Sequence, residues 1–306
     1  MRKAVFDNLT FTELTAIIVT INITKPERKY KMISSFLLIG QSNMSGRGIL
    51  NADNRIYSPN ILRLVNGRWQ TMWEPLSADR AFAGASLAPS FALEYTQKTG
   101  EQVGLIPASD GGSSIDEWQP GQALYDHALS EARLAMRISN IRAFLWHQGE
   151  ADCNPSRAAQ YEKKFLNMFR SLKKDLGLPD VRIYVGGLGD YLSKNEVDKN
   201  LAYYGGINNI LEKLARENDD ICFVSAQGLT PKEDNLHFNT ESLRTFGKRY
   251  FEEFEKNEPV LGKSEGCSLN GQTPEEMLCE IKAKKQRGEI SDEQYDKLIH
   301  EYIAKL

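Results

Sequence analysis

The 306-residue chain is 41% hydrophobic and 26% charged, a globular composition that excludes a disordered or fibrous protein. Its length allows one large domain or two ordinary ones, with a core big enough to hold a rigid site without disulfide or metal staples. A formal net charge of −3 speaks against a polyanion such as nucleic acid and suits a neutral partner such as a sugar.

The chain opens with residues 1–31, read as an N-terminal extension. Leu14 to Ile23 has about the length of a signal-peptide core, but Glu13 and several threonines flank or interrupt it. The charged run from Lys25 to Lys31 follows where a small-residue cleavage site would stand. No transmembrane helix is expected, and the chain is placed in the cytoplasm. Residues 32–257 form the main domain. Its strand candidates are Ile33–Ile39, Gln102–Pro107, Ile141–Trp146, Val181–Val185 and Ile221–Val224, each short and nearly continuously apolar, as strands buried on both faces are. Helices are expected over Ser86–Thr99, Ala123–Ser139, Pro155–Leu176, Glu196–Asn218 and Thr240–Lys256. This alternation predicts an α/β fold, a parallel sheet between two helical layers, with ligands bound beyond the C-terminal edge of the strands. Between the first two strands, Val65-Asn66-Gly67 marks a hairpin, read as an insertion beside the site. Residues 258–272 read as a linker. Residues 273–306 carry two helix starts, Thr273-Pro274-Glu275-Glu276 and Ser291-Asp292-Glu293-Gln294. The second helix bears an apolar stripe of Tyr295, Leu298, Ile299, Tyr302, Ile303 and Leu306. A hairpin this short cannot bury such a stripe on itself, so it must dock on the main domain or on another copy.

Four polar, glycine-bearing segments fall just beyond the strands. Gly40-Gln41-Ser42-Asn43-Met44 follows the first, Ala108 to Ser113 the second and His147-Gln148-Gly149-Glu150 the third; Asp234-Asn235-Leu236-His237 comes about ten residues after the last. A serine hydroxyl needs a base, a group that orients the base, and donors for an oxyanion. Of the four histidines, His127 and His300 lie in helical runs and His147 adjoins a strand end. His237, three residues after Asp234 in an irregular segment, is the best base on local grounds. Ser42 taken alone reads first as an N-cap in a turn. The cysteines Cys153, Cys222, Cys267 and Cys279 show neither zinc nor disulfide spacing, and Cys222 reads as a small buried hydrophobe.

In order and spacing these four segments resemble the signature blocks of the SGNH hydrolases. They are most similar to the sialate O-acetylesterase and acetylxylan esterase branch, the family-six carbohydrate esterases, over roughly residues 33–255. The matching residues are Gly40 to Met44, Gly111-Gly112-Ser113 with Trp118, Trp146 to Glu150, and Asp234 to His237. The resemblance implies a three-layer α/β/α sandwich with a flavodoxin-like sheet and a serine esterase that removes O-acetyl groups from carbohydrates. It implies Ser42 as nucleophile, His237 as base, and Ser42 N–H, Gly112 N–H and the Gln148 amide as oxyanion donors. Two carboxylates compete to orient His237. Asp234 has the local geometry and is favoured; Glu150 is set behind it. Gln41, Asn43, Ser113, Trp118 and His147 are expected at the substrate, with Trp118 equally readable as a sugar platform or a core aromatic. Arg47 and Asp152 are weaker cleft candidates, and Asp110 reads as a turn cap. No metal or organic cofactor is implied. The tail, around Arg287 to Tyr295, resembles a short C-terminal helical-hairpin module and is expected to mediate self-association. Two other functions stay open: hydrolysis of other acyl esters or thioesters, and a non-catalytic sugar-binding or scaffold role.

Overall fold

The computed structural model describes residues 32–257 and, in the tail, 281–282, 284–286 and 288–303. The extension 1–31, the linker 258–272 and the expected helix start at Thr273 lie outside the described residues. Seven strands make one sheet: β1 (Ile33–Gly40), β2 (Ile61–Val65), β3 (Arg68–Thr71), β4 (Val103–Pro107), β5 (Ser139–His147), β6 (Arg182–Gly186) and β7 (Ile221–Val224). Their order is β3-β2-β4-β1-β5-β6-β7. All neighbours are parallel except the β2–β3 hairpin. Without that hairpin the order is that of a flavodoxin-like sheet, with its switch point at β1 between β4 and β5. The five strands read from the sequence are these five.

The helices are α1 (Ser42–Ser45), α2 (Ala88–Thr99), α3 (Ala123–Ala135), α4 (Pro155–Leu176), α5 (Tyr204–Glu217), α6 (Thr240–Asn257) and α7 (Asp292–Ile303). α2 packs on α6, while α4 packs on both α3 and α5, so the sheet lies between two helical layers. α4 shows why these segments fold as they do. Asn154 caps it by accepting from Arg157 N–H at 3.0 Å, Pro155 begins it, and Gly177 ends it in the left-handed region. Its buried residues, Ala158, Tyr161, Phe165, Met168, Phe169, Leu172 and Leu176, recur at helical spacing. On the other face, Phe36 of β1 meets Phe91 of α2 and Phe254 of α6 edge-on, at 4.6 and 5.1 Å between ring centroids.

Three boundaries differ from expectation. The hairpin is not an insertion beside the site. Ile61, Leu62 and Leu64 are buried, and β2 extends the sheet by pairing in parallel with β4. The helix expected from Glu196 begins at Tyr204 instead. Asn195 Oδ1 accepts from Val197 and Asp198 N–H, and Asp198 Oδ1 from Asn200 N–H, and these local turns compete with helix. The helix expected to reach Ser139 stops at Ala135, because Ser139 opens β5 opposite Ile33. In the tail, α7 forms where expected, with Ser291 Oγ accepting from Gln294 N–H, and Tyr295, Leu298 and Ile299 are half-buried.

Candidate active site

β1 ends at Gly40, whose φ of +127° is a left-handed value that side chains rarely adopt. A methyl there would also run into the His147 carbonyl. This close passage lets Gln41 N–H reach His147 O at 2.8 Å and turns the chain sharply into α1. Ser42 is the first residue of that turn. Its Oγ is 3.0 Å from His237 Nε2, and His237 Nδ1 is 2.8 Å from Asp234 Oδ2. Asp234 Oδ1 accepts the backbone N–H groups of Leu236 and His237 at 3.0 and 2.9 Å. One short turn thus presents the base and its carboxylate together. Partial burial pushes the Asp234 carboxyl up, but the His237 backbone N–H, the His237 ring and the Leu236 N–H outweigh it and hold the group below the usual carboxylate range. Asn195 Nδ2 donates to Asp234 O at 3.0 Å and ties this turn to the loop after β6.

The expected oxyanion donors divide. Among the described residues no acceptor in the chain takes the N–H of Ser42 or of Gly112. Gly112 is exposed, with open space where a side chain would stand. Gln148 does not fit the role as placed, which corrects that expectation. It is fully buried, and its Nε2 donates both hydrogens inward, to Asp152 Oδ2 at 2.6 Å and Ser113 O at 3.0 Å. Two backbone donors remain.

The five residues expected at the substrate are instead built into the wall. Gln41 is buried and accepts from Gly149 and Ala151 N–H at 3.4 and 3.3 Å. Asn43 is buried and bonds to Glu150, Leu236 and Phe238. Ser113 Oγ donates to Asp110 O at 2.8 Å and accepts from Trp118 Nε1 at 3.0 Å. Trp118 has no exposed surface and packs edge-on against Trp146 at 5.4 Å, so the core reading holds. His147, also fully buried, lies between Phe238 and Phe246 with Nε2 on Gly187 O, and burial lowers its pKa so that it stays neutral. The common reason is packing: aromatic and amide groups beside a strand end satisfy one another beneath the site. Glu150 makes no bond to His237. It accepts Asn43 Nδ2 at 2.6 Å and lies 3.6 Å from His147 Nδ1. Of these two carboxylates, Asp234 is the one that contacts the His237 ring. Asp152 is fully buried, and burial raises its carboxyl despite bonds from Gln148 and Ile115 N–H.

The sequence reading placed the region 51–80 beside the site but singled out no residue of 77–84, a segment that contacts Arg47 and Gly111. Asp79 forms a buried two-point ion pair with Arg47, at 2.7 and 3.2 Å, and accepts Gly111 N–H at 2.9 Å. Burial pushes Asp79 up, but the Arg47 fork outweighs it and keeps the carboxyl below its usual range. Arg80 forks onto Asp110 and donates to Gly111 O at 2.8 Å. This segment therefore grips the backbone beside Gly112, and Asp110 is held as an ion-pair partner. Between these anchors Phe82 is 71% exposed, its ring 5.2 Å from the Arg47 guanidinium. No helical or strand period marks this stretch; an aromatic residue in a polar, small-residue loop was the available signal.

Residues 32–256 match the model of the carbohydrate esterase, sialic acid-specific acetylesterase, family. The probable carbohydrate esterase At4g34215 of Arabidopsis thaliana is 30% identical over 238 residues, covering 69% of this chain and 86% of that protein. The crystal structure of the same plant protein superposes with a TM-score of 0.66 at 27% identity, over 74% of this chain and 99% of that one. Crystal structures of NanS and of a carbohydrate acetylesterase from Xanthomonas citri share the fold. For NanS the TM-score is 0.60 at 17% identity, over 74% of this chain and 97% of that one. For the Xanthomonas protein it is 0.55 at 15%, over 72% of this chain and 56% of that one. With nearly the whole main domain matched, this chain belongs to the sialic acid-specific acetylesterase family of carbohydrate esterases, enzymes of the SGNH-hydrolase fold.

Proposed function

We propose that the protein hydrolyses O-acetyl esters of carbohydrates through an acetyl-Ser42 intermediate. The observation that carries this reading is the continuous run of contacts from Ser42 Oγ through His237 to Asp234. His237 Nε2 takes the Ser42 proton as Oγ attacks the acetyl carbonyl. The negative charge that forms on the carbonyl oxygen is met by the N–H groups of Ser42 and Gly112. When the tetrahedral centre collapses, the C–O bond to the sugar breaks and His237 returns the proton to the leaving alcohol. Water then gives a proton to His237 and attacks the acetyl group, releasing acetate and restoring Ser42. Asp234 holds the imidazole in the tautomer with Nε2 free to accept, and stabilises it once protonated.

The exposed ring of Phe82, which lies 5.2 Å from the Arg47 guanidinium, is proposed as a face for a pyranose ring. The family description names sialic acid, which places an O-acetylated sialic acid first among substrates to screen. Cys153 and Cys222 are buried free thiols, which fits a reducing compartment such as the cytoplasm. No helix among the described residues is long and apolar enough to cross a membrane. The tail hairpin is proposed as a self-association element, supported by the half-buried stripe on α7.

The test is hydrolysis of p-nitrophenyl acetate by wild type beside Ser42→Ala, followed by acetate release from acetylated sugars. Activity lost in Ser42→Ala supports the reading. Activity that survives the substitution names the wrong nucleophile, and folded but inactive wild type favours a binding role.

A further inference from the structure

Asn43 follows the nucleophile directly in the chain and is 1% exposed. Its amide makes three bonds. Nδ2 donates to Glu150 Oε1 at 2.6 Å and to Leu236 O at 3.3 Å, and Oδ1 accepts Phe238 N–H at 3.1 Å. Leu236 and Phe238 are the two neighbours of His237. A single side chain therefore grips the backbone on both sides of the base, from the residue beside the nucleophile. Ser42 and His237 are 195 positions apart and come from opposite ends of the domain, and this amide ties the residue after one to both neighbours of the other.

We propose that Asn43 and Glu150 are positioning residues that set the Ser42–His237 distance, with Glu150 acting only through Asn43; the idea rests on Ser42 and His237 being the nucleophile and base. An amide can sit in two orientations that exchange its donor and acceptor ends. The working orientation points Nδ2 at Leu236 O and Oδ1 at Phe238 N–H. The flipped one would set oxygen against oxygen and N–H against N–H. A carboxyl oxygen facing Nδ2 takes its hydrogen, so Glu150 Oε1 at 2.6 Å favours the working orientation. Glutamine there could donate and would tolerate the flip. The surroundings of Glu150 suit this role. It is 4% exposed, the ring of His147 at 3.6 Å is neutral, and Oε2 has no partner among the described residues. A carboxylate buried with so little compensation does not serve stability; its short bond to Asn43 is the contact it exists to make.

The experiment measures kcat, KM and Tm on p-nitrophenyl acetate for wild type, Ser42→Ala, Asn43→Ala, Glu150→Gln and the Asn43→Ala/Glu150→Gln double variant. Displacing a base by a fraction of an ångström to an ångström costs up to about 100-fold. Asn43→Ala is therefore expected to lower kcat about 10- to 100-fold, and Glu150→Gln about 10-fold, each with KM within a factor of two. The double variant is expected to match Asn43→Ala, because the hydrogen bond Glu150 makes runs to Asn43. Multiplied losses in the double variant, or full kcat in Asn43→Ala, would overturn the proposal. If Asn43→Ala does not fold, Asn43→Asp carries the same cycle: it keeps the shape, cannot donate to Leu236 O and repels Glu150, so full kcat there refutes the idea equally. Activity surviving in Ser42→Ala signals a separate failure, that of the nucleophile assignment itself.

Discussion

Replacing Asp234 by Asn separates the two carboxylates that the sequence offered as partners for His237. The substitution preserves size, so its effect comes from the exchange of one oxygen for an amino group. Asp234 Oδ1 accepts two backbone N–H groups, from Leu236 and His237, and the new amide keeps both bonds only by leaving its oxygen there. Its amino group must then face His237 Nδ1, where Oδ2 now stands at 2.8 Å. A donor at that place forces the ring to carry its proton on Nε2, the nitrogen that must accept from Ser42. In a serine protease with a buried aspartate, the equivalent change lowers kcat about 10,000-fold. Here the Asp234 side chain is 39% exposed, so water can partly replace the lost contact. The expected loss in kcat/KM is about 100- to 1,000-fold, or roughly 3–4 kcal/mol of transition-state stabilisation. Initial rates on p-nitrophenyl acetate suffice to measure it, with circular dichroism to confirm folding. Asp234→Asn retaining more than a tenth of wild-type kcat/KM would refute the tautomer argument. A larger loss from Glu150→Gln than from Asp234→Asn would return the orienting role to Glu150.

Three further outcomes follow from the same geometry. Phe82→Ala is expected to raise KM for an acetylated sugar about tenfold, equivalent to about 1.4 kcal/mol of binding, and to leave p-nitrophenyl acetate unaffected, since that ester has no sugar ring; equal effects on both substrates would remove Phe82 from the sugar site. His147→Gln tests a pH dependence of stability. The folded pKa of His147 is lowered by burial, so below the unfolded value of about 6.5 the unfolded chain binds a proton that the native chain does not. Native stability then falls as pH falls. Urea melts at pH 7.5 and 5.5 should show wild type losing more stability than the variant, and parallel losses would mean that His147 takes up its proton in the fold as it does in the unfolded chain. Deleting residues 268–306 should reduce the molar mass measured by light scattering to that of a single main domain; an unchanged oligomeric state would free the tail from that role.

The strand candidates held because strands buried on both faces leave a nearly continuous apolar record: Phe36 to Ile39 and Phe144 to Trp146 are almost without exposed surface. The hairpin was legible as a turn, with Asn66 and Gly67 both at positive φ, but not as part of the sheet. A five-residue strand one place in from the sheet edge carries no sign of which neighbour it pairs with. That Ser42, His237 and Asp234 come together was legible for a different reason. Chemistry beyond a strand end needs a sharp turn, a polar loop and few competing histidines, and each of these is a local property of the chain.

What stayed illegible was the direction in which the motif side chains point. Gln41, Asn43 and Ser113 stand next to Ser42 or Gly112, and His147 and Gln148 stand in the motif after β5, yet all are buried. Both placements call for the same residue types. A site floor made of polar groups is tolerable only if its members satisfy one another, because an orphaned amide or carboxyl in such a place is costly. Asp152 accepting from Gln148, Gln148 donating to Ser113 O, Ser113 accepting from Trp118, and Glu150 accepting from Asn43 form part of that accounting, while Gln148 Oε1, Glu150 Oε2, Asp152 Oδ1 and His147 Nδ1 have no hydrogen-bond partner among the described residues. The demand is as strict as that of the reaction, so it writes an equally specific pattern into the chain. A motif thus encodes two layers: one that touches the ester and one that aims the first. Sequence spacing cannot assign a residue to either layer, because neighbouring positions in a tight turn face opposite ways. Ser42 and Asn43 are consecutive; one meets His237 from the open side, and the other holds its backbone from behind.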